Sequence, residues 1–202
     1  MTAKPQEQMT PAEYLELERS SLDIKHEFFN GEIFAMVGAG RNHVRINANL
    51  ARKIGNKFEA DNSPCEVWPN DMRVKIATGY VYPDIAISCG DPEFEDNEFD
   101  TLTNPVVIIE VLSSSTEAFD RGKKFTYYQD IPTLQEYILV SPDEYLIEKF
   151  IRRENKWEYY SYKSKDQNLK IESVDHELLI SEIYYNVNFE IKASNRISSL
   201  LD

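Results

Sequence analysis

At 202 residues and 23.5 kDa the chain is long enough for one domain with a sizeable core and too short for two ordinary domains joined by a linker. Apolar residues make up 42% and charged residues 28%, a globular profile that excludes wholesale disorder. The formal charge of −13 excludes a protein that coats nucleic acid through bulk positive charge, while leaving room for a local basic groove.

In chain order, residues 1–8 read as a polar, disordered leader, followed by one domain over 9–190 and a tail over 191–202. Thr10-Pro11-Ala12-Glu13 predicts a capped helix start, with Thr10 as N-cap, Pro11 at the first helical position and Glu13 closing a capping box. Asn30-Gly31 between apolar flanks predicts a hairpin with a type I′ turn. From Asn42, the apolar positions Val44, Ile46, Leu50, Ala51, Ile54 and Phe58 keep a helical period. That helix carries Arg41, Arg45, Arg52, Lys53 and Lys57 and is the most basic stretch of an acidic chain. Strands are predicted over 65–76 and 80–88, separated by a Thr78-Gly79 turn. Residues 91–100 hold six acidic side chains and no basic one, which reads as a solvated loop.

The run 105–112 is continuously apolar apart from Glu110, as expected of a strand buried on both faces. A helix is predicted from about 117 to 130, stopped by Ile131-Pro132, then a strand over 136–140. Residues 145–152 and 157–162 alternate like an antiparallel hairpin, whose aromatic side chains suit core or dimer packing more often than base stacking. The order predicts an α/β fold with a mixed sheet flanked by helices and a C-terminal antiparallel hairpin. No apolar run approaches the roughly 18 residues of a membrane span, and the first residues show no secretory signal. Cys65 and Cys89, far apart and without a CxxC spacing, are expected to be reduced thiols of a cytoplasmic protein.

Two acids stand inside predicted apolar strands. Glu110 is expensive to bury unless it is paired, protonated or metal-bound. Strand parity puts it on the face of Val106, Ile108 and Leu112, and leaves open whether that face is core or cleft. Asp84, in Tyr82-Pro83-Asp84-Ile85-Ala86-Ile87, would lie beside it if the two strands are sheet neighbours, and the pair would then suit a hard divalent cation. Asp120, Lys124 and Tyr128 are spaced four apart on the following helix, so Lys124 either approaches the two acids or pairs with Asp120 at the surface. Asp71 is a third acid of the strand region, with a turn or cap role as the default. His43 begins the basic helix, where a lone histidine is more often a cap or surface residue.

Asp84 after a proline, Glu110 in an apolar strand and a helix behind it resemble the PD-(D/E)XK nuclease superfamily. More closely, Glu110-Val111-Leu112-Ser113-Ser114-Ser115-Thr116, followed by Asp120, Lys124 and Tyr128, is similar to the Uma-type restriction-endonuclease-like family. The similarity extends through Met9-Thr10-Pro11-Ala12-Glu13-Tyr14, the stretch from Glu27 to Ile33, His43, and Glu136-Tyr137-Ile138-Leu139-Val140. One position departs from the superfamily pattern: Leu112 stands where a lysine is expected, and Lys124 takes over that part by resemblance, ahead of its neighbour Lys123.

The resemblance implies a restriction-endonuclease-like core and a metal-dependent endonuclease. Asp84 and Glu110 would hold Mg²⁺ or Mn²⁺, Lys124 would orient the attacking water, and Glu27 would help to hold the metal or its water. DNA would be the substrate, with Arg45, Arg52 and Lys53 as phosphate contacts, and a homodimer is the expected assembly. The competing reading is a nuclease-fold binding or assembly module without catalysis, favoured by the acidic charge and by Leu112.

Overall fold

The computed structural model describes residues 9–36 and 38–189. The leader at 1–8 and the tail at 191–202 lie outside the described residues. The elements run α1 (Pro11–Ser20), β1 (His26–Phe29), β2 (Glu32–Ala35), α2 (Arg41–Asp61), β3 (Cys65–Pro69), β4 (Arg73–Ile76), β5 (Gly79–Val81), β6 (Ile85–Cys89), β7 (Thr101–Leu102) and β8 (Val107–Val111). There follow α3 (Glu117–Phe119), a π-helical turn (Asp120–Lys124), α4 (Phe125–Gln129), β9 (Glu136–Val140), β10 (Ile147–Arg153), β11 (Lys156–Tyr162), β12 (Asn168–Ile171), β13 (His176–Leu179) and α5 (Ile180–Ile183).

A six-stranded mixed sheet of order β11-β10-β9-β8-β6-β3 is the centre of the molecule. β8 pairs in parallel with β9 and antiparallel with β6, so the apolar run around Glu110 is an interior strand. A five-stranded sheet of order β2-β1-β5-β4-β7 packs on one face with α4, around Phe29, Val74, Leu102, Ile108, Tyr128 and Tyr137. On the other face α2 lays Ile46, Leu50, Ile54 and Phe58 against Ile85, Val107, Ile109 and Ile138. Both faces of β8 are therefore covered, as its composition predicts.

Several local signals act as expected. Glu13 Oε2 accepts from Thr10 N at 2.7 Å and Glu13 N donates to Thr10 Oγ1 at 3.3 Å, completing the capping box. Asn30 and Gly31 both have positive φ, 51° and 87°, as a type I′ turn requires. At Gly79 a Cβ would stand 1.9 Å from the Phe28 carbonyl oxygen, so only glycine lets β5 pair with β1 there.

Elsewhere the structure corrects the expectation. The predicted strand 65–76 breaks at Asn70, which has φ 51°, and its halves β3 and β4 join different sheets. The strand 80–88 breaks at Pro83-Asp84 in the same way, so Asp84 sits in the crossover between sheets and not inside a strand. The helix predicted over 117–130 is interrupted by the π turn. Val44 is 56% exposed and outside the core stripe of α2.

Cys65 and Cys89 are disulfide-bonded, because the antiparallel register of β3 and β6 sets them directly opposite one another. The acidic stretch 91–100 is a network of ion pairs. Arg19 meets Asp96 at 2.7 Å and Asp100 at 2.9 Å, Lys75 meets Glu95 at 2.5 Å, and buried Arg73 pairs with Asp100. In the β10–β11 hairpin, Phe150 and Trp157 pack on Phe125 of α4, with ring centroids 4.5 and 5.3 Å apart.

Candidate active site

Where β8 ends, the chain brings an acid from each of two adjacent strands' ends together. Ile85 of β6 is opposite Ile109 of β8, so Asp84 comes next to Glu110 across the ladder, and Asp84 N approaches Glu110 Oε2 at 3.4 Å. Glu110 alternates out of the α2 face and projects toward α4, where the Tyr128 hydroxyl donates to its Oε1 at 2.8 Å. The π turn ahead of α4 delivers Lys124 to the same oxygen. Its Nζ lies 2.9 Å from Glu110 Oε1, 3.0 Å from Glu27 Oε1 of β1 and 3.8 Å from Asp120 Oδ1. Inserted π turns recur at functional sites because they re-aim a helix face without ending the helix.

Asp84 is held from three directions. Its Oδ2 accepts from Val111 N at 2.8 Å, and its Oδ1 accepts from Asn47 Nδ2 at 3.0 Å and contacts His43 Nε2 at 2.7 Å. The last contact is attractive only when His43 Nε2 carries a proton. His43 and Asn47 are four residues apart on α2, hence on one face. Asn47 Oδ1 is buried without a hydrogen-bond partner.

Glu110, Asp120 and Lys124 are all buried. Burial pushes the Glu110 carboxyl up, against the pull of Lys124, and the other carboxylates add to the rise. Burial likewise raises Asp120. For Lys124, burial favours the neutral amine, but Glu110, Glu27 and Asp120 outweigh it and the group is raised, so it stays an ammonium. His43 is also raised, because Asp84 outweighs the cost of its burial.

These groups line one cavity of about 770 Å³ that also holds Asp71. Asp71 lies in the turn between β3 and β4, is largely exposed and pairs with Lys25. The sequence-predicted residues Asp84, Glu110, Lys124, Glu27, His43 and Tyr128 are thus brought together. Arg45, Arg52 and Lys53 are not among the cavity's lining residues: Arg52 contacts Asn49 Oδ1 at 3.3 Å and Lys53 pairs with Glu182 of α5. Asn47 was not singled out from sequence, although its spacing from His43 was there to be read. Asp120 was read only as a partner for Lys124.

The donor set fits a hard cation. A carboxylate offers about four lone-pair positions. Asp84 spends three and Glu110 spends three on contacts, leaving oxygen capacity on both beside the orphan Asn47 Oδ1. Among the described residues no three His, Cys, Asp or Glu side chains are arranged to enclose a metal. Two carboxylates completed by water and phosphate are, however, an ordinary Mg²⁺ environment.

A mixed sheet with paired acids at a strand end, backed by a helix lysine, defines a protein of nuclease fold. The chain overlays on the crystal structure of a protein from Anabaena variabilis, titled "a putative nuclease belonging to DUF820", with a TM-score of 0.70 at 18% identity, covering 87% of this chain and 97% of that one. The family model described as "Uma2: Putative restriction endonuclease" matches residues 11–181, and the chain belongs to that family. It is similar to two proteins of Synechocystis sp., named uncharacterized protein slr1290 and uncharacterized protein sll1609. The first is 33% identical over 92% of this chain and 96% of the relative, the second 40% identical over 70% and 80%. No helix among the described residues is long and apolar enough to cross a membrane.

Proposed function

We propose that the protein is a divalent-metal-dependent phosphodiesterase acting on DNA. The observation that carries this reading is the Lys124 ammonium shared by Glu110 at 2.9 Å and Glu27 at 3.0 Å, next to Asp84, in the floor of an accessible cavity. Asp84 and Glu110 would hold Mg²⁺ or Mn²⁺, which supplies Lewis acidity toward the phosphate when bound.

The chain's own residues do the rest. Lys124, kept charged by its neighbours, serves as a hydrogen-bond donor to the attacking water and to the charge that builds on the phosphoryl oxygens, not as a base. The Tyr128 hydroxyl, itself raised by burial and by Glu110, keeps its proton and fixes the Glu110 carboxylate. Tyr82 N donates to Glu27 Oε1 at 3.1 Å and sets that carboxylate at the edge of the cavity, where it can accept a hydrogen bond from the water. His43 and Asn47 fix Asp84.

A non-catalytic binding module is the second reading, favoured by the charge of −13 and by Leu112 in place of the expected lysine. Calorimetric titration of Mg²⁺ and Mn²⁺ into wild type and Glu110→Gln, with and without a short DNA strand, separates the two. Under the proposal binding is saturable and lost in the variant, and DNA cleavage falls about 100-fold or more. Flat titrations in every case would leave the binding module.

A further inference from the structure

The cavity is lined by two unlike sets of side chains. Besides the carboxylates and Lys124, the lining includes Phe34 of β2, Met36 after it and Val44 of α2, which are 48%, 38% and 56% exposed although each is large and apolar. Phe34 is braced from behind. Its ring centroid is 5.7 Å from that of Phe29, which in turn meets Phe119 at 5.1 Å and Tyr127 at 5.5 Å. An aromatic ring held this way is a preformed platform.

The same cavity offers little to a duplex backbone. Among the described residues that line it, Lys25 and Lys124 are the only lysines or arginines. Lys25 is paired with Asp71, and Lys124 faces three carboxylates. Duplex affinity depends on neutralising several phosphates along the backbone, and this lining supplies Lys124 for one at most in a chain of charge −13. A volume of about 770 Å³ is that of a site enclosing a small molecule, which suits an unstacked nucleotide.

We propose that the cavity binds an unpaired nucleotide of a DNA strand, its base stacked on the Phe34 ring against Met36 and Val44, with the adjoining phosphate toward Lys124. The substrate class is then single-stranded or locally unpaired DNA, and stacking makes the preference tolerant of sequence. The inference rests on the phosphodiesterase reading and narrows it.

The test is fluorescence anisotropy of a fluorescein-labelled oligothymidylate and of its duplex with oligoadenylate, with Ca²⁺ replacing Mg²⁺ to hold back turnover. Wild type is expected to bind the single strand about ten-fold or more tightly than the duplex, with a log–log salt slope of about −1. Phe34→Ala, at a half-exposed position of the edge strand β2, is expected to weaken the single strand by about ten-fold. Phe34→Trp should keep the affinity and add fluorescence quenching beyond that of Trp68 and Trp157.

Equal duplex affinity, or unchanged binding by Phe34→Ala, overturns the inference. Cleavage by wild type and Phe34→Ala alike, with equal binding, would remove the base subsite and keep the nuclease. Binding that depends on Phe34 without any cleavage would do the opposite.

Discussion

Lys124 is the cation for three carboxylates, and replacing it by methionine keeps the volume while leaving Glu110, Glu27 and Asp120 without the ammonium that faces them. Breaking a buried pair from one side costs about 3–5 kcal/mol, because the abandoned charge must be protonated or hydrated. Lys124→Met should lose roughly that much in urea unfolding. Lys124→Met with Glu110→Gln should recover part of that loss, since one of the three abandoned carboxylates is then neutral. Strict additivity of the two substitutions would show that the pair is not coupled. Glu110 and Asp84 were legible in the sequence because an acid in an apolar run demands an explanation. Lys124 was legible only through the family resemblance, since its spacing to Asp120 fits a surface pair equally well. Asn47 gave no signal that burial would orphan its oxygen.

The elements were legible where their signals are local, as in the capping box of α1 and the Asn30-Gly31 turn. They were illegible where one run of alternating residues crosses from sheet to sheet, because β3 and β4 read as one strand and only tertiary pairing divides them. The disulfide follows from that same pairing: 24 residues separate Cys65 from Cys89, yet β3 and β6 place them opposite each other. Closing a loop of that length stabilises by about 3 kcal/mol through the unfolded chain. Cys65→Ser/Cys89→Ser should therefore melt roughly 6–12 °C below the oxidised wild type and together with the reduced wild type. Identical melts of all three forms would mean that the bridge contributes nothing to the equilibrium.

At the scale of the molecule, the site lies where the chain passes from the five-stranded to the six-stranded sheet at Asp84, so anything that holds the two sheets in register also holds the site. On the side of the five-stranded sheet, the stretch 91–100 ties α1 to β4 from the periphery, a role that composition hid because its partners lie far off in sequence. Asp100 joins Arg19 of α1, at 2.9 Å, to buried Arg73 of β4. The Arg19 guanidinium first, and Arg73 after it, hold the Asp100 carboxyl well below the usual carboxylate range against the effect of its partial burial. Folded Asp100 thus stays ionised to lower pH than unfolded Asp100. Its contribution is fully present above the ordinary carboxylate pKa of about 3.9 and is lost as the pH falls below that value. Because the carboxylate is about one-third exposed, solvent screening reduces the effect to about 2 kcal/mol, most of it from stranding the Arg73 charge. Asp100→Asn should lower the melting temperature at neutral pH by roughly 4–8 °C. It should also flatten the fall in stability between pH 4 and pH 2, the interval over which Asp100 takes up a proton in the unfolded chain and stays ionised in the folded one. A variant as acid-sensitive as wild type would transfer the acid response to Asp96 or to the carboxylates of the site.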